Sequence, residues 1–246
     1  MTDFRAIVLA AGVGSRLRPM TDAIPKCLVA IDGRPILGWQ LDALLSAGAA
    51  QVTVVAGYRA PQVLEFCHSY GDRVGVVVNA DYATTNNMYS FRMGASALNG
   101  TDVVLCNGDV VFDPSIVQRL VEPERGDLIA VEPGRYVEES MKVVVDADGR
   151  IVELNKRIDA RRAFGVSIDV YRFGPDTLDA ILRTANRLID EGEQRNLWTE
   201  VAIDAVLANA DVRPHDIEGR AWVEIDNFDD LADANRLFAA VVGPAR

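Results

Sequence analysis

An apolar run, Ala6 to Ala11, empties directly into Gly12-Val13-Gly14-Ser15-Arg16, and this junction constrains the chain more than any other stretch. The run reads as a buried strand. A loop of small residues after a strand lets backbone N–H groups approach an anion closely, because no Cβ stands in the way. Arg18-Pro19 and then Pro25-Lys26 follow, so Arg16 and Lys26 can add positive charge on the same side. From Ala6 to Lys26 the pattern is that of a cradle for a triphosphate. A Gly-x-Gly loop alone is as readily a tight turn, so the rest of the chain has to decide.

The 246 residues carry a net charge of −11, with acidic residues spread along the chain. A nucleic-acid-binding surface needs a basic stripe that displaces counterions, which this sequence does not offer. A local basic pocket is still allowed, and carboxylates converging on it would suit a divalent cation. Cys27, Cys67 and Cys106 have no metal-like spacing and read as buried reduced thiols. His68 and His215 belong to no motif. Met1 to Arg5 does not resemble the start of a signal peptide, and no apolar run approaches a membrane span. The expectation is a cytoplasmic protein with no membrane partner.

Cys27 to Ile31 reads as a short strand ended by the turn pair Asp32-Gly33. Pro35 then suits a first helical position, with Leu37, Leu41, Leu44 and Leu45 on one face. Strands are expected at Gln51 to Ala56 and Val74 to Val78, with a helix from Pro61 to Ser69 that offers Val63, Leu64 and Phe66 to the core. Such alternation implies right-handed crossovers and a mostly parallel sheet. A polar stretch, Asn79 to Ser90, leads into a helix reaching Leu98. Asp102 to Cys106 is a strand with Asn107-Gly108-Asp109 at its carboxyl end, where open α/β sheets place ligands.

Beyond Glu122 the rhythm changes. Leu128 to Glu132, Met141 to Val145, Arg150 to Leu154 and Ala163 to Tyr171 read as strands without helices between them, and Asp146-Ala147-Asp148-Gly149 as a hairpin turn. Helices are expected at Asp176 to Ile189, Trp198 to Leu207 and Phe228 to Val242, with strands at Val212 to Ile217 and Trp222 to Asp226. The expectation is one domain over 1–246, its core from 1–122 and 212–246, with an acceptor-side insertion at about 123–211.

Leu9-Ala10-Ala11-Gly12-Val13-Gly14-Ser15-Arg16 with Pro25-Lys26 resembles the signature of the nucleotidyltransferases that activate sugar phosphates and related esters. Gly108-Asp109, Glu153-Leu154-Asn155-Lys156 and Phe164-Gly165 follow in the matching order. Asn86-Asn87-Met88-Tyr89-Ser90 and Trp222-Val223-Glu224-Ile225-Asp226 resemble the phosphocholine and aminoalkylphosphonate cytidylyltransferase branch. The resemblance implies a Rossmann-like three-layer α/β/α fold with a mixed, mainly parallel sheet and an antiparallel extension. It also implies attack by an acceptor phosphate oxygen on the α-phosphorus of CTP, with pyrophosphate leaving.

Residue by residue, the resemblance implies that Leu9, Ala10 and the Ala11 to Ser15 backbone (Gly12, Val13, Gly14), with Asn107 and Gly108, hold the nucleotide. Arg16 and Lys26 would stabilise charge moving onto pyrophosphate. Asp109 and Asp226 would hold Mg²⁺, the expected cofactor. Lys156 would place the acceptor phosphate, assisted by Lys142. Asn86, Asn87 and Ser90 offer groups suited to a pyrimidine edge. An ammonium on the acceptor would favour aromatics with a carboxylate nearby, and Tyr136, Trp198, Glu200, Trp222 and Glu224 supply such parts.

Plainer readings compete. Asp226 is also placed to cap the final helix, Asn86-Asn87 to start one, and Trp198 and Trp222 to pack in the core. Lys156 shares a charged cluster with Arg157, Arg161 and Arg162. A sugar-1-phosphate nucleotidyltransferase using UTP, dTTP or GTP is the rival enzyme, and a catalytically silent nucleotide-binding subunit the rival of another class. The partners expected are CTP and a small phosphate or phosphonate, with homodimerisation allowed.

Overall fold

The computed structural model describes residues 4–96, 98, 100–122 and 126–239. The strands of the first half are β1 (Phe4–Ala10), β2 (Ala30–Ile31), β3 (Arg34–Pro35), β4 (Ala49–Ala56), β5 (Val74–Val78), β6 (Asp102–Asn107) and β7 (Val110–Phe112). Those of the second half are β8 (Asp127–Pro133), β9 (Lys142–Val145), β10 (Ile151–Asn155), β11 (Gly165–Phe173), β12 (Val212–Asp216) and β13 (Trp222–Glu224). The helices are α1 (Met20–Ala23), α2 (Ile36–Ser46), α3 (Ala60–His68), α4 (Asn87–Ala95), α5 (Pro114–Leu120), α6 (Pro175–Asp190), α7 (Thr199–Val206) and α8 (Phe228–Phe238).

Side chains of a strand alternate between the two sheet faces, and β1 buries both sets. Ala6, Val8 and Ala10 join one apolar layer, while Ile7 and Leu9 join the other. The first layer takes Leu37, Leu41 and Leu44 of α2, Val63 of α3 and Ile116 of α5. The second takes Phe91 of α4, Ile181 of α6 and Ile203 of α7. Helices therefore cover both faces, giving three layers. α8 packs outside them, with Phe238 edge-on to Trp39 at 5.4 Å between ring centroids.

The sheet runs β10-β9-β11-β6-β1-β4-β5, with β8 on β11 and β12 on β8. β6, β1, β4 and β5 form a parallel core. β8, β9, β10 and β11 pair antiparallel, and β12 lies parallel to β8. β11 changes partner part-way along. Gly165 and Val166 pair with β9, whereas Val170 to Phe173 pair with β6. Its register against β8 slips between Ser167 and Tyr171, and inside that slip Asp169 adopts φ 59°. A bulge of this kind re-aims side chains, and here it lies in the floor of a cleft.

Several boundaries differ from the sequence expectation. Lys26–Leu28 is a 3₁₀ turn, not part of a strand, because Leu28 N–H bonds the Pro25 carbonyl and Val29 N–H that of Lys26. Only β2 is extended there, and it turns back through Asp32-Gly33 onto β3. Pro35 sits at the cap before α2 rather than inside it. On α3, Leu64 is exposed, and Cys67 fills the core position one turn after Val63. β7 and α1 were not anticipated. α5 begins after Asp113, whose carboxylate accepts the Ser115 N–H at 2.8 Å. The expected end of the last helix at Val242 lies outside the described residues. All three cysteines are buried and unbridged. No helix among the described residues is long and apolar enough to cross a membrane.

Candidate active site

A cleft of about 270 Å³ opens where β1 and β6 end. Leu9, Ala10, Ala11 and Gly12 form one wall, and Asn107, Gly108 and Asp109 continue it. Gly108 fits because a Cβ there would stand 2.7 Å from the Leu9 carbonyl oxygen and 2.9 Å from Ala10 Cα. The loop beyond Gly12 is held by its own bonds. Leu17 N–H and the Thr21 hydroxyl both donate to the Gly14 carbonyl, at 3.0 and 2.8 Å. Tyr58 N–H donates to the Ala11 carbonyl at 3.1 Å. Gly14 has φ 67°, and a Cβ on it would meet Lys26 Cβ at 2.8 Å. The bare Gly14 thus packs against the stem of Lys26, which reaches the cleft. Val13, Gly14 and Ser15 do not line the cleft themselves; they shape the loop behind Arg16.

Asp109 directly precedes β7, and β13 pairs antiparallel with β7 so that Glu224 lies opposite Val110. Ile225 N–H donates to the Asp109 carbonyl at 2.9 Å. This two-stranded ribbon brings Asp109, Glu224 and Asp226 together, with one oxygen of each inside a 4.8 Å cluster. The strand expected from Trp222 to Asp226 ends at Glu224, and the Asp226 carboxylate still converges on Glu224 and Asp109. Asp226 does not cap α8: Asn227 does, in a capping box with Asp230.

Cations meet these carboxylates. Lys26 Nζ donates to Asp109 Oδ2 and Asp226 Oδ1, each at 2.8 Å, and Arg16 pairs with Asp226 Oδ2 at 2.7 Å. Burial opposes charge on Lys26, but the two carboxylates outweigh it and raise its pKa. Burial also opposes ionisation of Asp226, yet Lys26 and Arg16 hold its carboxyl below the usual range. Glu224 is pushed up to about 7 by burial and then by the charges of Asp109 and Asp226.

The far end of the cleft holds Lys156, Trp198, Glu200 and Asp169. Lys156 Nζ lies 4.9 Å from the Trp198 ring centroid, which separates it from its exposed neighbours Arg157 and Arg161. Asp169 and Glu200 are 8% and 2% exposed. The Tyr171 hydroxyl lies 2.9 Å from Asp169 Oδ1 and 3.1 Å from Glu200 Oε1, and the Asn107 amide lies 3.1 Å from Asp169 Oδ2. Burial raises both carboxyls.

Other expected residues are elsewhere. Lys142 is fully buried, and its ammonium donates to the Val137 and Glu138 carbonyls at 3.1 and 2.7 Å. It braces a loop and does not line the cleft. Tyr136 is engaged under that ammonium, 5.0 Å away, and is also outside the cleft. Trp222 is buried, its indole N–H donating to Glu132 at 2.7 Å. Asn86, Asn87 and Ser90 do line the cleft, with part of their bonding capacity spent. Asn86 Oδ1 accepts the Asn87 N–H, and Asn87 Oδ1 accepts the Thr199 N–H, both at 2.8 Å. Ser90 accepts from Asn79 at 3.1 Å.

A profile of the MobA-like NTP transferase domain matches residues 6–139, more than half of the chain. The chain belongs to the MobA-like NTP transferase domain family. The CMP-5'-(3-aminopropyl)phosphonate synthase of Streptomyces rubellomurinus is 33% identical over 248 residues, covering 96% of this chain, which spans 39% of that protein's length. The 2-aminoethylphosphonate cytidylyltransferase of Lancefieldella rimae is 28% identical over 233 residues, covering 92% and 90%. The solved structure of CTP:phosphocholine cytidylyltransferase from Streptococcus pneumoniae superposes with a TM-score of 0.83 at 23% identity, over 96% of this chain and 99% of that one. At that identity the likeness establishes the fold.

The MobA-like match ends before Lys156, Asp169, Trp198, Glu200, Glu224 and Asp226, so a third of the residues lining this cleft lie beyond it. Asp169, Asn79, Tyr82, Thr85, Ser140 and Met141 line the cleft without having been expected there. Asp169 carried a signal: Ser167, Asp169 and Tyr171 alternate with Val166, Ile168 and Val170, a polar face on a strand inside an apolar run. As to a metal, the three clustered carboxylates are hard oxygen donors of the type that magnesium takes. The Glu224 carboxylate makes no hydrogen bond among the described residues, and the Asp109 carboxylate is bonded through one oxygen. The donor set fits a divalent cation, with Lys26 as the internal cation beside it.

Proposed function

We propose that this chain transfers CMP from CTP to a small phosphate or phosphonate acceptor and releases pyrophosphate. The observation that carries the reading is the meeting, in one cleft, of a glycine-loop wall, the Arg16 and Lys26 cations, and the Asp109–Glu224–Asp226 cluster, with Lys156 facing them. An acceptor oxygen forms a bond to the α-phosphorus of CTP. The bond from that phosphorus to the bridging oxygen breaks, and pyrophosphate departs with the electron pair.

Such a transfer needs alignment and charge stabilisation more than covalent help from the protein. Arg16 and Lys26 stand where negative charge grows on the leaving group. Lys156 holds the acceptor's anionic end in line. Asp109, Glu224 and Asp226 would hold Mg²⁺, which when bound neutralises phosphate charge and orients the α-phosphate. The choice of CTP is supported by the relatives named above, which are cytidylyltransferases or CMP-ester synthases by name.

The test is pyrophosphate release from CTP, UTP, dTTP, GTP and ATP with magnesium and a panel of aminoalkyl phosphates, phosphonates and sugar 1-phosphates. Phosphorus NMR should show a CMP diester from CTP. Turnover of a sugar 1-phosphate with another triphosphate, and none with CTP, overturns the reading.

A further inference from the structure

Helix α2 buries an amide that the site does not touch directly. Gln40 is 1% exposed, with Ile36, Leu37, Leu41 and Leu44 buried on the same helix. Its Nε2 donates to the Asn107 carbonyl at 2.7 Å and to the Val110 carbonyl at 2.9 Å. Those carbonyls flank Gly108-Asp109, so one side chain spans the turn that presents the Asp109 carboxylate. Gln40 Oε1 is buried and makes no hydrogen bond among the described residues. A buried polar atom left unpaired is costly, and a methionine of similar size would avoid that cost. Packing alone therefore does not call for a glutamine here.

The same helix is bonded to the other member of the Lys26–Asp109 pair. Val29 closes the 3₁₀ turn Lys26–Leu28, and its carbonyl accepts the Ile36 N–H at 3.0 Å. The Trp39 indole N–H donates to the Ile31 carbonyl at 3.2 Å. α2 thus grips the segment that follows Lys26, and through Gln40 the turn that carries Asp109. The remaining bonds of that turn run elsewhere. Gly108 N–H donates to the Leu9 carbonyl and Ile225 N–H to the Asp109 carbonyl, both at 2.9 Å. β1 and the Asp226 segment fix two sides of the turn, and Gln40 references it to Lys26.

We infer that Gln40 is a positioning residue. By bracketing Asn107-Gly108-Asp109-Val110 it sets where the Asp109 carboxylate stands against Lys26, Glu224 and Asp226, and thereby the affinity of that cluster for a divalent cation. The inference rests on the proposed reading of Asp109 as a metal ligand. Gln40 does not line the cleft and acts through backbone alone. A small displacement suffices, because magnesium demands near-ideal geometry from its oxygen donors. Groups that orient such donors are typically worth about 10- to 100-fold in metal affinity.

The test is manganese(II) binding to the full chain without nucleotide, followed by electron paramagnetic resonance. Carboxylate sites take manganese as they take magnesium. Gln40→Met keeps the length of the side chain, removes both donors, and should weaken manganese binding by about tenfold or more. Ile181→Ala cuts the opposite apolar layer and controls for lost stability alone. It should leave manganese affinity within about twofold of wild type. Gln40→Leu replaces the methionine variant if that one does not fold, and failure of both to fold overturns the inference, since the glutamine then serves the core at large. Manganese held equally by wild type and Gln40→Met, held by neither, or weakened equally in Ile181→Ala, also overturns it. Weakened binding in Gln40→Met, in a chain that releases no pyrophosphate from CTP, sinks the transfer reading and leaves Gln40 in its role. Turnover of CTP with manganese binding unchanged in Gln40→Met does the reverse.

Discussion

Lys26 and Asp226 are separated by 200 residues of chain and by 2.8 Å in space. The same ammonium holds Asp109, so one side chain ties the N-terminal cradle to the returning ribbon of β7 and β13. The site is therefore assembled by the fold as a whole. Lys26→Met is expected to lower kcat with CTP by about 10²- to 10³-fold, the usual cost of one charge-stabilising donor. Pyrophosphate release measures it, and full turnover by the variant would remove Lys26 from the reaction.

Asp109→Asn keeps the shape of the side chain and deletes a hard, charged donor. The magnesium concentration for half-maximal turnover should rise by about tenfold or more. A titration of rate against magnesium reads this directly, and an unchanged midpoint would take Asp109 out of the metal site.

Gly14→Ala tests the loop independently of any charged group. At φ 67° an alanine is strained, and its Cβ would crowd Lys26 Cβ at 2.8 Å. A stability loss of about 1–2 kcal/mol is expected, read by chemical denaturation. Turnover should fall as well, because Lys26 must move.

The pH dependence of stability has a definite sign. Glu224 titrates near 7 in the folded chain, raised by burial and by Asp109 and Asp226, against about 4.3 when unfolded. Between those values the folded state binds the extra proton, so stability falls as pH rises through this window and is lowest above it. Asp169 and Glu200, also raised by burial, act in the same direction. Asp226, held low, contributes stability that is lost only as pH falls through the acid range. Glu224→Gln should make the metal-free protein more stable at pH 8 by about 2 kcal/mol and flatten the slope between pH 5 and 7. Urea denaturation at several pH values measures both.

Lys142 and Lys156 should part company. Lys142→Met leaves the Val137 and Glu138 carbonyls without their donor and should cost about 2 kcal/mol of stability. Lys156→Met should leave stability nearly unchanged and raise the acceptor KM by about tenfold, the loss of one charge-assisted contact. Denaturation and steady-state kinetics on both variants distinguish a brace from a ligand-binding cation.

What the sequence made legible was whatever has a local signature. The strand-to-glycine junction at Ala6–Arg16, Asn107-Gly108-Asp109 at a strand end, and the segment Trp222 to Asp226 with its two carboxylates could each be read from a few neighbouring residues. The turn pair Asp32-Gly33 was legible for the same reason. Asp169 was legible only as one residue of the polar face Ser167, Asp169 and Tyr171; that this face meets the cleft follows from a change of strand partner that the alternation does not record. Lys142 shows the opposite error. It was expected to assist Lys156 only through the resemblance, and the packed loop at Val137 and Glu138 shows that backbone carbonyls already hold it. Cys27 to Ile31 read as a strand because an apolar run does not reveal a 3₁₀ turn held by Pro25 and Lys26 carbonyls.

β11 leaves β9 before it meets β6, and between the two partners lies a short stretch whose N–H groups turn elsewhere, Ser167 to the Met141 carbonyl and Asp169 to the Ser167 hydroxyl. That stretch carries Asp169. The two halves of the cleft therefore hang from different structural supports. The wall that carries Arg16, Lys26 and Asp226 depends on the parallel strands and the Lys26 tether, the wall that carries Asp169 on a single irregularity in an antiparallel strand. On the proposed function, changes at 167–171 would alter the wall around Asp169 and leave the Lys26 tether standing.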